Sequence, residues 1–277
     1  MEYAAIIQRQ RDFFHSNVTK DIRFRAEQLR KLKSLLQANE KRLCEAIYAD
    51  FRKGEFETYA TELGLLYSDI GEALKKMRRW SRPKRVLTNI PNMPARSFIM
   101  PEPYGVCLVI GAWNYPYQLS FAPAIAALAA GNTVILKPSE LSAHTSTLMA
   151  ELINNSFDPG VFRVIEGGVP ETTALLKEKF DKIFFTGSVP VGNIVYQAAA
   201  KNLTPVTLEL GGKSPAFVFA DTNLDVTARR LVWGKFLNAG QTCIAPDYVL
   251  VENKIKEKFL HAIKAQIDEF RYSFENK

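Results

Sequence analysis

Apolar residues return every three or four positions through the first 80 residues. Leu29, Leu32, Leu36, Leu43 and Ile47 keep this spacing, with Lys, Arg, Gln and Glu between them. The pattern predicts helices that each bury one face. It changes at Ser81. Pro83, Pro91, Pro94 and Pro101 punctuate 81–101 and predict an extended or looped connection. Beyond Tyr104 the chain alternates. Apolar runs of strand length fall at 106–110, 133–136, 162–165, 182–185 and 206–210. Segments 121–130, 142–154 and 189–201 read as helices between them. Pro170 and Glu171 open a further helix, with a proline at its first position and an acid in its first turn. Continuous β runs separated by helices imply a parallel sheet covered on both faces. The predicted fold is α/β: N-terminal helices followed by a Rossmann-like dinucleotide-binding sheet.

A second α/β segment starts after Gly211-Gly212. It has predicted strands at 217–220 and 248–251 and helices at 224–237 and 254–270. Thr222-Asn223-Leu224-Asp225 resembles a capping box, with Asp where Glu or Gln is more usual. The predicted division is 1–210 and 211–277.

Composition narrows the classes. The chain has 277 residues, 47% hydrophobic and 23% charged, which suits a globular protein with a sizeable core. Part of the formal charge of +7 lies in Met77-Arg78-Arg79-Trp80-Ser81-Arg82-Pro83-Lys84-Arg85. A basic run with an aromatic is one mark of nucleic-acid or anionic-membrane contact. No nucleic-acid fold signature accompanies it, so it reads as a solvated helix end and linker, and no nucleic-acid partner is expected. Cys44, Cys107 and Cys243 are too few and too scattered for a disulfide framework and lack metal-ligand spacing, so no metal is expected. Such sparse cysteines fit a reducing, cytoplasmic compartment. Cys44 and Cys107 read as small core residues. The first residues do not read as a secretory signal. Residues 103–136 carry no charge, yet Asn114, Pro116, Gln118, Pro123, Gly131 and Asn132 interrupt them. No membrane-spanning segment is expected there.

Candidate chemistry gathers where the strands end. Cys243 lies in Gly240-Gln241-Thr242-Cys243, a loop whose glycine lets the backbone approach a substrate. A thiol there is a nucleophile or an incidental residue, and no His lies near it in sequence. Glu209 interrupts the apolar run Val206-Thr207-Leu208-Glu209-Leu210. A carboxylate in such a run is costly unless it faces a site. At a carboxyl strand end it reaches the ligand crevice of an open α/β sheet, where burial would suit it to take a proton from water. The alternative is an acid exposed to solvent. Asn114 follows the first strand of the sheet and is either an oxyanion donor or a turn residue. Thr186-Gly187-Ser188-Val189-Pro190-Val191-Gly192 joins a strand to a helix whose N-terminus offers amides to a pyrophosphate, without Gly-x-Gly-x-x-Gly spacing. Lys137-Pro138-Ser139-Glu140 follows the second strand as a nucleotide-contacting loop or a charged cap on the next helix. His15, His144 and His261 have no partner motif, and no catalysis is assigned to them.

In combination, Trp113-Asn114-Tyr115-Pro116, Lys137-Pro138-Ser139-Glu140, Thr207-Leu208-Glu209-Leu210-Gly211-Gly212-Lys213-Ser214-Pro215 and Gly240-Gln241-Thr242-Cys243 resemble the aldehyde dehydrogenase superfamily. The likeness is nearest to its class 3 branch, which oxidises medium- and long-chain and aromatic aldehydes. The resemblance covers nearly the whole chain. It implies an aldehyde substrate and NAD or NADP as cofactor. It further implies Cys243 as nucleophile, Asn114 as oxyanion donor and Glu209 as general base. Implied cofactor contacts are Trp113, Lys137, Glu140, Thr186, Gly187, Ser188, Val191, Gly192, Leu210 and Gly211. Implied substrate contacts are Tyr115 and Trp233. Pro190 departs from the family, which often has Gly there. The chain stops at Lys277, soon after Cys243, where relatives continue well beyond. The family's later Glu-x-Phe-Gly-Pro motif is absent, and 271–277 drift from the usual continuation. A C-terminally truncated member is therefore expected, with 211–277 as an incomplete catalytic domain. Its strands near 217–220 and 248–251 should be uncovered, and the family homodimer is doubtful. The chain is then an aldehyde dehydrogenase or a catalytically silent nucleotide-binding fragment of one.

Overall fold

The computed structural model describes residues 2–270. The distinctive 271–277 lies outside the described residues. The chain forms two units, Met1–Glu209 and Leu210–Lys277.

The first unit begins with helices α1 (Glu2–His15), α2 (Ile22–Ala38), α3 (Glu40–Phe51), α4 (Glu55–Thr58) and α5 (Gly64–Trp80), with a π-helical turn at Tyr59–Leu63 before α5. Asp21 caps α2 by accepting from the Arg23 amide. The leucine stripe is the buried face: Leu29, Leu32, Leu36, Leu43 and Ile47 are fully enclosed. The linker predicted for 81–101 contains two short strands, β1 (Lys84–Val86) and β2 (Ser97–Ile99), paired antiparallel. Three-residue strands with mostly exposed side chains carry no alternation that sequence reasoning can detect.

The sheet follows. Its strands are β3 (Val106–Ile110), β4 (Thr133–Lys137), β5 (Phe162–Val164), β6 (Lys182–Gly187) and β7 (Val206–Leu210). Helices α6 (Pro116–Ala130), α7 (Ala143–Ser156), α8 (Val169–Leu175) and α9 (Val189–Ala200) connect them in turn. The strand order is β5-β4-β3-β6-β7. β3 pairs in parallel with both β4 and β6, placing Cys107 opposite Val134 on one side and Lys182 on the other. Every residue of β3 and β4 is buried, as required of strands covered on both faces. α6 is apolar nearly all round and lies in the core through Tyr117, Phe121, Ala124, Ile125 and Leu128. Pro116 opens it, and Gly131 ends it in the left-handed region at φ 95°.

The second unit contains β8 (Ser214–Val218), α10 (Leu224–Phe236), β9 (Pro246–Val251) and α11 (Lys256–Phe270). β8 and β9 pair in parallel as a two-stranded sheet. The strand predicted at 217–220 thus begins three residues earlier, and the cap also differs. Asn223, rather than Thr222, accepts from the Val226 amide, while Thr222 meets the Thr227 hydroxyl. Ala228, Val232 and Phe259 are buried, but Phe217, Phe219, Tyr248 and Leu250 are exposed.

Candidate active site

The sheet order reverses between β4–β3 and β6, and ligands of open α/β sheets bind beyond the carboxyl ends of the strands at such a point. β3 runs into Gly111-Ala112-Trp113-Asn114-Tyr115. The Gly111 amide donates to the Lys137 carbonyl at 3.0 Å, tying this loop to the end of β4. A side chain on Gly111 would collide with the Ser120 hydroxyl. Trp113 packs on Phe51 with ring centroids 5.9 Å apart. Asn114 and Tyr115 are half-buried at the entrance to α6.

At the end of β4 the Lys137 side chain is only 2% exposed. Its ammonium donates to the Pro138 carbonyl and the Glu140 carboxylate, both at 2.9 Å. Burial disfavours the charged form of Glu140, but hydrogen bonding and the charge of Lys137 outweigh it and hold the carboxyl below its ordinary value. Glu140 therefore presents a fixed carboxylate at the edge of the sheet. At the end of β6 the Thr186 hydroxyl is buried without a partner. Gly187 packs so closely on the Phe185 ring that a Cβ there would lie 2.6 Å from it. Ser188 caps α9 by a long 3.5 Å bond from the Val191 amide. Pro190 contributes no N–H, Gly192 is buried and Val191 is exposed. An orphaned hydroxyl, a helix N-terminus and a fixed carboxylate are groups that fit a nucleotide's hydroxyls and phosphates.

Glu209 takes the exposed one of its two readings. It is exposed near the end of β7, an edge strand of the five-stranded sheet. Leu210 is half-buried and Gly211 exposed.

In the second unit, α10 runs into a 3-10 turn at Leu237–Gly240. Asn238, Ala239 and Gly240 have φ of 54°, 52° and 77°, a run of left-handed residues that turns the chain sharply. Cys243 is exposed just beyond it. Its carbonyl approaches Gly212 so closely that a Cβ there would lie 2.5 Å away. Within the second unit, Gly212 and Cys243 therefore touch through their backbones. Trp233 is exposed on α10.

The other two thiols are poor nucleophiles. Burial pushes Cys44 up to about 11 and Cys107 to about 12. Among the described residues no cluster of His, Cys, Asp or Glu could hold a metal ion, and no helix is long and apolar enough to cross a membrane.

Sequence reasoning overlooked Lys53 and Glu62. They form an ion pair with side chains 4% and 0% exposed behind the Asn114 loop. The available signal was an acid next to Leu63 in a buried stripe.

The parallel sheet with its polar carboxyl edge, followed by an α/β unit bearing an exposed cysteine, defines a two-unit α/β protein with a Rossmann-like sheet. The chain belongs to the aldehyde dehydrogenase family, whose model matches residues 1–275. It is 48% identical over 258 residues to 4,4'-diaponeurosporen-aldehyde dehydrogenase of Staphylococcus aureus, covering 93% of this chain and 56% of that protein. It is 46% identical to the mouse (Mus musculus) aldehyde dehydrogenase named dimeric NADP-preferring, covering 96% of this chain and 59% of that one. A substrate-bound structure of Staphylococcus aureus AldH matches with a TM-score of 0.94 and 46% identity, over 97% of this chain and 59% of that chain. The chain spans a little over half the length of the curated relatives it matches.

Proposed function

We propose that this chain carries the nucleotide site and the nucleophile of an NAD(P)-dependent oxidation of aldehydes to carboxylic acids. The observation behind this reading is the gathering of Asn114, the Lys137–Glu140 pair, Thr186-Gly187-Ser188 and Glu209 at the carboxyl ends of β3, β4, β6 and β7. Trp113, Lys137, Glu140, Thr186, Gly187, Ser188, Val191, Gly192, Leu210 and Gly211 would hold the nucleotide. Glu140 would accept from a ribose hydroxyl, and the first turn of α9 would face the pyrophosphate. When bound, the nicotinamide supplies the hydride acceptor.

In this mechanism the Cys243 sulfur attacks the aldehyde carbon and forms a thiohemiacetal. The Asn114 side-chain NH₂ donates to the developing oxyanion, a contact worth about 3 kcal/mol in comparable sites. Loss of hydride from that carbon leaves a thioester on Cys243. Glu209 takes a proton from the water that attacks the thioester, releasing the acid and restoring the thiol. Two easier steps thus replace one difficult one. Exposure of Glu209 gives it ready access to water. Tyr115 and Trp233 would contact the aldehyde, and the family likeness supports a medium-chain, long-chain or aromatic compound. The buried, unpaired thiols of Cys44 and Cys107 suit a reducing cytoplasm.

A second reading is nucleotide binding without turnover. It is favoured by the thin second unit, whose strand residues Phe217, Tyr248 and Leu250 are exposed. One experiment separates the two. Reduction of NAD⁺ and NADP⁺ is followed with a medium-chain and an aromatic aldehyde, for the parent chain and Cys243→Ser. Turnover that disappears in the variant supports the first reading. Nucleotide binding with no turnover by the folded parent supports the second. Absence of both refutes each.

A further inference from the structure

We propose that Lys53 and Glu62 are positioning residues for the Trp113-Asn114-Tyr115 loop. This extends the proposed oxyanion role of Asn114, on which it rests, to the groups that set the Asn114 backbone.

Helix α6 starts without a cap of its own. Tyr115 occupies the N-cap position and makes no side-chain capping bond, and Pro116 has no N–H. The next amides of the first turn need an acceptor from elsewhere. Glu62 supplies it: one carboxylate oxygen accepts from the Tyr117 amide at 2.8 Å and the Gln118 amide at 3.2 Å. A carboxylate is favoured there by the partial positive charge of the helix N-terminus. Its other oxygen binds the Lys53 ammonium at 2.7 Å. That ammonium lies 4.5 Å from the centroid of the Tyr115 ring, within cation–π range.

The cradle continues on the other side of Asn114. Phe51 ends α3, and its ring packs against Trp113. Arg52 then turns left-handed at φ 60°, followed by Lys53 on Tyr115. Phe51-Arg52-Lys53 thus holds both neighbours of Asn114. The Tyr117 hydroxyl adds a 2.8 Å bond to the Leu43 carbonyl, fixing the same turn to α3. Glu62 sits in the π-helical turn Tyr59–Leu63, a rare irregularity that occurs often at functional sites. Stability alone is a poor account of this pair, because well-packed apolar replacements of buried ion pairs are often neutral or stabilising. Orientation of the loop accounts for a charge pair that apolar side chains could otherwise replace.

The test uses the full chain. Glu62→Ala and the neutral double variant Lys53→Met/Glu62→Gln are compared with the parent by residue-resolved amide hydrogen exchange and by the Asn114 side-chain NMR signal. In Glu62→Ala the Tyr117 and Gln118 amides should exchange at least about tenfold faster while β3 and β4 keep their protection. The double variant retains one acceptor oxygen, so protection at these amides should be partly restored. Loss of the cation over Tyr115 should nevertheless shift the Asn114 signal. Unchanged exchange at both amides, acceleration spread equally through β3 and β4, or an unmoved Asn114 signal in the double variant would overturn the proposal. If Glu62→Ala does not fold, the double variant decides. With an active preparation, kcat should fall about 10- to 100-fold at constant nucleotide KM; an unchanged kcat counts against positioning. Asn114→Ala in the same assay is the control: if it leaves kcat unchanged, the oxyanion reading fails while the exchange result stands.

Discussion

Asp50 caps α7 from another helix, and removing its charge should destabilise the first unit measurably. Ser142, the residue preceding α7, makes no capping bond to it. Asp50 on α3 instead receives the His144 amide at 3.1 Å and the His144 ring Nδ1 at 2.8 Å on one oxygen. Its other oxygen receives the Thr145 amide at 2.9 Å and the Thr145 hydroxyl at 2.6 Å. The carboxylate side chain is 4% exposed. In Asp50→Asn one oxygen becomes an NH₂ that cannot accept from the donors facing it. Leaving a buried donor unpaired costs about 1–3 kcal/mol, and the bonds that remain lose their charge assistance. The expected total is about 2–4 kcal/mol, at or above the usual loss of an N-cap. Urea unfolding would be followed by tryptophan fluorescence in a Trp233→Phe background, so that Trp80 and Trp113 report on the first unit. With a slope near about 3 kcal/mol per M, the midpoint should fall by about 1 M. Acidity gives an independent check. Burial opposes ionisation of Asp50, but the Thr145 and His144 hydrogen bonds outweigh it and lower its pKa. A carboxyl with a lowered folded pKa contributes stability above its unfolded value, near about 3.9, and loses it as pH falls through the folded value. The gap between parent and variant should therefore be full at neutral pH and narrow below about pH 4. A midpoint shift under about 0.2 M at neutral pH would refute the trans-cap argument.

Other expectations follow from the same geometry. Iodoacetamide at mild alkaline pH should label Cys243 in the native chain and spare Cys44 and Cys107, as read by peptide mass spectrometry; protection of Cys243 would contradict its exposure. Gly111→Ala drives a methyl into the Ser120 hydroxyl and should cost about 1–3 kcal/mol of stability; an unaltered unfolding midpoint would show that the loop has slack. Phe121→Ala removes a fully buried ring packed near Tyr117 and Phe162. It should lose about 3–5 kcal/mol by denaturant titration. Lys137→Met should leave Glu140 without its ion pair and weaken NADH binding about tenfold in a fluorescence titration; unchanged affinity would remove this pair from the proposed nucleotide site.

Much of the architecture is legible before any coordinates. β3 and β4 fall on the apolar runs, because a strand buried on both faces has to be apolar throughout. Pro170 marks a helix start for the local reason that a first-turn residue needs no donor, whereas α6 begins at Pro116, five residues before the start expected from the apolar run. The signals weaken where tertiary context dominates. β1 and β2 are short and exposed, so no periodicity announces them. Asn223 rather than Thr222 caps α10, a one-residue choice between neighbours that are both good N-cap types. Apolar neighbours left Glu209 open between a site-facing and a solvent-exposed acid; β7 is an edge strand and leaves it exposed.

The candidate site divides in the same way. Residue types and local order alone determined that a thiol, a carboxylate and an amide donor follow strands or helices at glycine-containing turns, and these motifs carried the family. Local sequence also determined that Cys44 sits on the apolar face of a helix and Cys107 in an apolar strand. Only the tertiary structure decided that Lys137 is buried and held against Glu140, that Gly212 meets the Cys243 backbone, and that Asp50 caps a helix 94 residues away in sequence. It alone brought Glu62 to the start of α6, 55 residues further along the chain. The physical reason is range: helix periodicity and turn chemistry act between near neighbours, whereas a buried charge takes its partner from whatever element packing brings within hydrogen-bond distance.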